Sequence, residues 1–297
     1  MKSLKISSDY NTMINGAVNA GVSYLRDNPN IKTLVLGISG GVDSAVVAAI
    51  ARKVCDVLSA EGRKICLDGY CLQILGNKTD EIKRALAVGE AFCHDFSIHR
   101  FLVNLSGTVM NLLNGIDYSL FQKYTERIDT MTHGDKVRLG NMKARTRMAF
   151  LYNKAQEQKG LVLSTDNLTE YFLGFWTLHG DVGDLGLIQE LWKTEVFGMA
   201  ELLGGPVLDC ANAIPTDGLG ITNSDIDQLL PDWKPETGDH KVAYNAVDRI
   251  LIDHLDGIGT YSSKNPVIYR YETTKFKRTN PVNVKREMLL WVHNSTT

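Results

Sequence analysis

Thr33-Leu34-Val35-Leu36-Gly37-Ile38 runs straight into Ser39-Gly40-Gly41-Val42-Asp43-Ser44, and an Ala-rich stretch from Ala45 to Arg52 follows. The first six residues suit a buried strand, and the alanines favour a helix. The hexapeptide between them is therefore a strand-to-helix turn. Gly40 and Gly41 let the backbone turn sharply and approach a ligand without a Cβ in the way. Ser39 and Ser44 add hydroxyl groups, and the free amides and positive dipole end of the helix attract an anion. The expected ligand is a phosphate or pyrophosphate. Asp43 would repel a bare anion, so its presence implies a divalent cation, Mg2+, bridging carboxylate and phosphate oxygens.

The turn is neither of the two common glycine motifs, since it lacks both G-x-G-x-x-G and the Gly-Lys-Ser/Thr ending of the Walker loop. Five fixed positions of S-G-G-x-D-S arise by chance about once in a million windows at ordinary residue abundances. The motif is specific enough to direct the reading of the other segments.

The chain has 297 residues, 44% of them hydrophobic and 22% charged, which describes an ordinary globular protein long enough to bury a substantial core. A net charge of −2 argues against a dedicated nucleic-acid binder. No apolar run is long enough to cross a bilayer, and the N-terminus lacks the apolar centre of a signal peptide, so a cytoplasmic enzyme without membrane or nucleic-acid partners is expected. The five cysteines form no C-x-x-C pair and sit mostly in apolar runs, so they are expected to be reduced core residues. The seven histidines show no zinc-ligand spacing.

Beyond the loop helix, the pattern predicts a strand over Ile65 to Ile74, a helix over Asp80 to Phe92 and a strand over Phe96 to Val103. A helix from Asn141 to Gln158, a strand Leu161 to Ser164 and a helix opening near Asn167 follow. Such alternation predicts a doubly wound, mostly parallel α/β sheet with helices on both faces and ligands at the carboxyl ends of its strands. Past residue 200 the pattern is mainly helical, including Asp239 to Leu255. One domain over 1–297 is expected, with a core at about 31–205 and a helical C-terminal part at about 206–297.

Three further segments carry chemistry. Gly140-Asn141-Met142-Lys143-Ala144-Arg145-Thr146-Arg147-Met148 presents Arg145, expected at the start of a helix. Ser164-Thr165-Asp166-Asn167-Leu168-Thr169-Glu170 supplies a hydroxyl and then a carboxylate at a strand end. Gly174-Phe175-Trp176-Thr177-Leu178-His179-Gly180-Asp181-Val182-Gly183-Asp184 is a loop with two acids, and Lys193 heads the next helix.

The S-G-G-x-D-S loop is that of the PP-loop, or N-type, ATP pyrophosphatases, which split ATP between the α and β phosphates. Together with the later segments it resembles ammonia-dependent NAD synthetase, whose pattern adds G-N-x-K-A-R-x-R-M, G-T-D-x-x-x-E, G-F-x-T-x-x-G-D, a helix-leading Lys and Pro-Thr, in the same order over residues 31 to 220. The resemblance implies an adenine nucleotide alpha hydrolase-like fold, a homodimer, and a ligase that adenylates the nicotinate carboxylate of deamido-NAD with ATP and then forms the amide with free ammonia. Carried over by position, Gly37, Ile38, Ser39, Gly40, Gly41, Val42, Asp43 and Ser44 hold the phosphates, and Thr165, Lys193 and Thr216 contact ATP. Asp43 and Glu170 bind Mg2+. Arg145, Asp184, Phe276 and Lys277 contact deamido-NAD, while Asp181 orients or deprotonates ammonium; Asp181, Lys193 and Ser39 are the expected catalytic residues. Glutamine-using relatives carry a further amidohydrolase domain for which this chain has no room, so intrinsic use of ammonia is expected.

The match has departures: Leu178 stands where the family has Lys, Phe276 where it has His, and one residue is deleted between Asp181 and Asp184. His179 is read as structural, and Phe175 and Trp176 as core or interface residues. The competing readings are another PP-loop adenylating ligase, GMP-synthetase-like, and an ATP-binding module without turnover.

Overall fold

The computed structural model describes residues 4–75, 78–215, 225–234, 239–259, 261–278 and 285. At its centre lies β1 (Thr33–Gly37), whose first four residues are buried. Leu34, Leu36 and Ile38 point to one face, where the helices Tyr10–Asp27 and Val42–Ala60 pack. Val35 points to the other, against Tyr70, Leu72 and the long helix His133–Glu157. Burial on both faces explains why this strand is a continuous apolar run rather than an alternating one.

β2 (Cys66–Gln73), β3 (Leu102–Asn104), β4 (Gly160–Ser164) and β5 (Leu185–Gly186) complete a parallel sheet of order β3-β2-β1-β4-β5. Thr33 is in register with Cys66 on one side and Gly160 on the other. The order reverses between β1 and β4, so the loops leaving their carboxyl ends splay apart and open a crevice there. The expected doubly wound α/β class is what the sheet shows.

Two expected elements differ. Phe96 to Val103 is not one strand: a helical turn, Ile98–Phe101, precedes the three residues of β3. Phe96 and Phe101 pack ring to ring at 5.2 Å, and residues five apart on an extended strand would face opposite sides. The long helix begins at His133, capped by Thr132, whose hydroxyl accepts from the Asp135 amide while the Asp135 carboxylate accepts from the Thr132 amide. Arg145 therefore lies in the middle of that helix, not at its start.

After Leu203, the described residues form helices alone, among them His240–Leu255 and Pro266–Thr273. Val207, Ala211, Ala243 and Tyr244 share a core with the residues under β1. All five cysteines are free and four are buried. Burial pushes the Cys55 and Cys93 thiols up to about 12, so they are inert hydrophobic packing groups.

Candidate functional site

The turn after β1 is held open by its own hydroxyl groups. The Ser39 amide donates to Ser44 Oγ at 3.2 Å, the Gly41 amide donates to Ser39 Oγ at 3.2 Å, and Ser44 Oγ donates to the Gly41 carbonyl at 3.1 Å. Gly40 has φ +84, and a Cβ there would lie 2.2 Å from the Glu81 carbonyl oxygen, so only glycine fits. Arg84 donates to the Gly40 carbonyl at 2.9 Å and brings a cation to the loop. Ile38 and Val42 are buried, so they offer the turn only backbone.

Asp43, in the first turn of the loop helix, meets residues from two other elements. Asn167 caps the helix Leu168–Leu173 by accepting from the Glu170 amide at 3.0 Å, and its Nδ2 donates to Asp43 Oδ1 at 2.9 Å. Lys193, first residue of the helix Lys193–Leu203, donates its Nζ to Asp43 Oδ2 and, at 3.1 Å, to Glu170 Oε1. The Lys193 side chain is 4% exposed. Burial disfavours its charge, but the two carboxylates outweigh that cost and hold it well above an ordinary lysine. Burial pushes the Glu170 carboxyl up despite the pull of Lys193.

A further layer fixes these groups. The Lys193 amide donates to Thr169 Oγ1 at 2.8 Å, and Thr169 Oγ1 donates to Asp248 Oδ1 at 2.6 Å. Asp248 Oδ2 accepts from the Thr194 amide and hydroxyl at 2.9 and 2.6 Å. Asp248 is fully buried, which raises its carboxyl to about 6 against those hydrogen bonds.

Beside this cluster lies a cavity of about 650 Å³, lined among others by Arg145, Tyr152, Asp166, Trp176, His179 and Lys277. The residues at the end of β4 join the two regions, because Asp166 faces the cavity while its neighbour Asn167 holds Asp43. Lys277 donates to the Gly174 carbonyl at 2.6 Å and to the Trp176 carbonyl, and its charge lies 5.5 Å from the Trp176 ring centre. Trp176 Nε1 is buried and has no hydrogen-bond partner. Arg145 is exposed and donates to the Leu178 carbonyl at 3.0 Å. His179 holds φ +51, an uncommon backbone state for a residue other than glycine.

The loop of two acids is stapled onto β4. A Cβ on Gly183 would fall 2.6 Å from the Ser164 amide nitrogen, so the backbones touch there. Asp184 accepts from the Val162 amide at 2.9 Å and from the Tyr152 hydroxyl at 3.0 Å, while its own amide donates to the Val162 carbonyl at 2.7 Å. Its carboxylate thus positions the loop at the edge of the cavity. Asp181 accepts from the Thr177 amide at 2.7 Å, and burial raises its carboxyl.

Of the residues singled out in the sequence, the structure gathers Ser39, Gly40, Gly41, Asp43, Ser44, Glu170 and Lys193 around the turn, and Arg145 and Lys277 around the cavity. Thr165 lies between β4 and the Asn167 cap. Phe276 is 62% exposed and contributes nothing to the cavity walls. Thr216 lies outside the described residues. Asp166, Asn167 and Asp248 were missed; Asn167 had a sequence signature, since Asn-x-x-Glu is a capping box. Trp176 and His179, read as structural, line the cavity.

The chain matches the family model described as NAD synthase over residues 14–281. It is 30% identical over 241 residues to an NH(3)-dependent NAD(+) synthetase of Thermococcus sibiricus, covering 79% of each chain. It superposes on an NMN synthetase from Francisella tularensis with a TM-score of 0.70 at 23% identity, covering 94% of this chain and 99% of that one. The NAD+ synthetase of Burkholderia pseudomallei gives 0.64 at 26% identity, covering 94% of both.

Proposed function

Because the chain belongs to the NAD synthase family, we propose that it converts deamido-NAD to NAD with ATP and free ammonia, using Mg2+ held by Asp43 and Glu170. The observation that carries this reading is the junction at the end of β4, where Asn167 holds Asp43 beside Lys193 and Asp166 opens onto the cavity. One side suits a nucleoside triphosphate and the other an acceptor carrying a carboxylate.

A divalent cation fits the cluster. Two carboxylates face a single ammonium there, and Asn167 fixes the orientation of one of them, so the site is already built around a positive charge. Mg2+ characteristically takes one or two protein carboxylates and fills its remaining positions with phosphate oxygens and water. Among the described residues no group of three or more acids, histidines or cysteines is arranged to hold a metal ion, and this metal needs none. When bound, it would neutralise charge on the leaving pyrophosphate.

The amides and hydroxyls of the Ser39 to Ser44 turn cradle the phosphates. The acceptor carboxylate, steered by Arg145 and Lys277, attacks the α-phosphorus; the bond to the β-phosphate oxygen breaks and pyrophosphate leaves. Lys193 stabilises the charge that develops on the transferring group. Ammonia then attacks the acyl carbon and AMP departs. Asp181 is positioned for the proton of ammonium, which predominates near neutral pH. We place the enzyme in the cytoplasm as a homodimer without nucleic-acid or membrane partners. The net charge of −2 speaks against a nucleic-acid partner, and among the described residues no helix is long and apolar enough to cross a membrane.

The test is product mass after incubation with ATP, Mg2+ and ammonium, with deamido-NAD, nicotinate mononucleotide or xanthosine monophosphate as acceptor. NAD together with AMP and pyrophosphate is expected from the first. Amidation of another acceptor alone, or a strict need for glutamine, would refute the assignment.

A further inference from the structure

Ammonium carries four hydrogens and the amide product keeps two, so two protons must leave nitrogen during amidation. One departs before the lone pair can attack, and one departs from the C–NH3+ adduct as the C–O bond to AMP breaks. Asp181 accounts for one of them. Resting on the function proposed above, we propose that Asp166 is the second proton acceptor of the amidation step, held in position by Ser164.

Asp166 is 8% exposed and is one of the residues lining the cavity. Gly180 and Val182, the neighbours of Asp181, line the same cavity, and the backbone contact at Gly183 brings their loop onto the end of β4. Ser164 Oγ donates to Asp166 Oδ2 at 2.9 Å.

Burial first, and the nearby Asp181 charge second, raise the Asp166 carboxyl to about 7, while Ser164 pulls it down. A base works best when its pKa lies near the operating pH. The other charges acting on this carboxyl are Asp43, which raises it, and Lys193, which lowers it; the Asp166 charge in turn helps to raise Glu170. Arg145 and Lys277 lie in the walls of the same cavity.

The test separates the two half-reactions in the full-length enzyme. Acceptor-dependent exchange of labelled pyrophosphate into ATP reports adenylation, and ammonium-dependent NAD formation from pH 5.5 to 9 reports the whole reaction, with melting temperature as the check on folding. In Asp166→Asn, amide formation should fall about 10²–10⁴-fold while exchange falls less than about tenfold. In Ser164→Ala the lost hydrogen bond raises the Asp166 carboxyl, so the acid limb should move up by about 0.5–1 pH unit. A folded Asp166→Asn enzyme that amidates within about threefold of wild type, or loses both half-reactions equally, overturns the proposal. So does an unmoved acid limb in Ser164→Ala. Absence of exchange in the wild type overturns this proposal together with the proposed function, whereas exchange with an unimpaired Asp166→Asn overturns this one alone.

Discussion

Replacing Lys193 with Met removes the one ammonium shared by Asp43 and Glu170 while keeping most of the side-chain volume. In the wild type that ammonium is 4% exposed and the carboxylates 17% and 20%, so none of the three is well solvated. At 3.1 Å from Glu170 each charge pair is worth roughly 5 kcal/mol at an effective dielectric near 20, before desolvation is subtracted. Removing one partner of a buried pair costs about 3–5 kcal/mol, because the remaining charge is uncompensated. Here two carboxylates are left facing each other. For a chain of this size the melting temperature should drop by roughly 6–20 °C in the absence of metal. Saturating Mg2+ should recover about 2–3 kcal/mol by binding only the folded state.

Acid should help as well. Without Lys193 the folded Glu170 pKa rises further above its unfolded value, so the folded state holds a proton that the unfolded chain has lost. The variant then gains stability as pH falls through that window. The assay is differential scanning fluorimetry with and without Mg2+ at pH 7.5 and 5.5. A variant melting within about 2 °C of wild type, or indifferent to both Mg2+ and acid, would refute the reasoning.

Gly40→Ala should abolish ATP-dependent turnover and destabilise the fold by about 1–3 kcal/mol, since its Cβ meets the Glu81 carbonyl; unchanged ATP protection against thermal melting would contradict this. Lys277→Met, read by steady-state kinetics, should raise KM for the acceptor about tenfold with little change in KM for ATP, because Lys277 lines the cavity proposed for the acceptor. Asp248→Asn removes a carboxyl whose folded value, about 6, exceeds its unfolded 3.8. The wild type therefore loses stability from that group as pH rises through this interval, and the variant does not. Urea titrations should show the variant improving relative to wild type by about 2–3 kcal/mol between pH 4 and 7; a flat difference would contradict the burial argument.

The Ser39 to Ser44 turn was legible in the sequence because its geometry admits few residues: Gly40 needs a positive φ and has no space for a Cβ. Glu170 and Lys193 were legible through the resemblance of their segments to the family's G-T-D-x-x-x-E and helix-leading Lys, and both stand at helix starts. Asp248 was not, because its partners, Thr169 and Thr194, are 79 and 54 residues away and only the fold joins them. Arg145 was misplaced along its helix because the Thr132 cap, which sets the true start, lies 13 residues earlier. Asp184 has the right residue type in the right loop, yet its contacts with Val162 and Tyr152 exist only once β4 and the long helix have packed together. β5, two residues long, is too short for any periodicity to mark it.

The central claim is that the acceptor's carboxylate is activated by adenylation at the crevice between β1 and β4. The most direct measurement uses deamido-NAD labelled with ¹⁸O in both carboxylate oxygens, turned over with ATP, Mg2+ and ammonium, with mass spectrometry of the released AMP. Attack of the carboxylate on the α-phosphorus, followed by displacement at the acyl carbon, predicts AMP carrying a single ¹⁸O and NAD retaining the other. Unlabelled AMP, or label released in inorganic phosphate alongside ADP, would contradict the account.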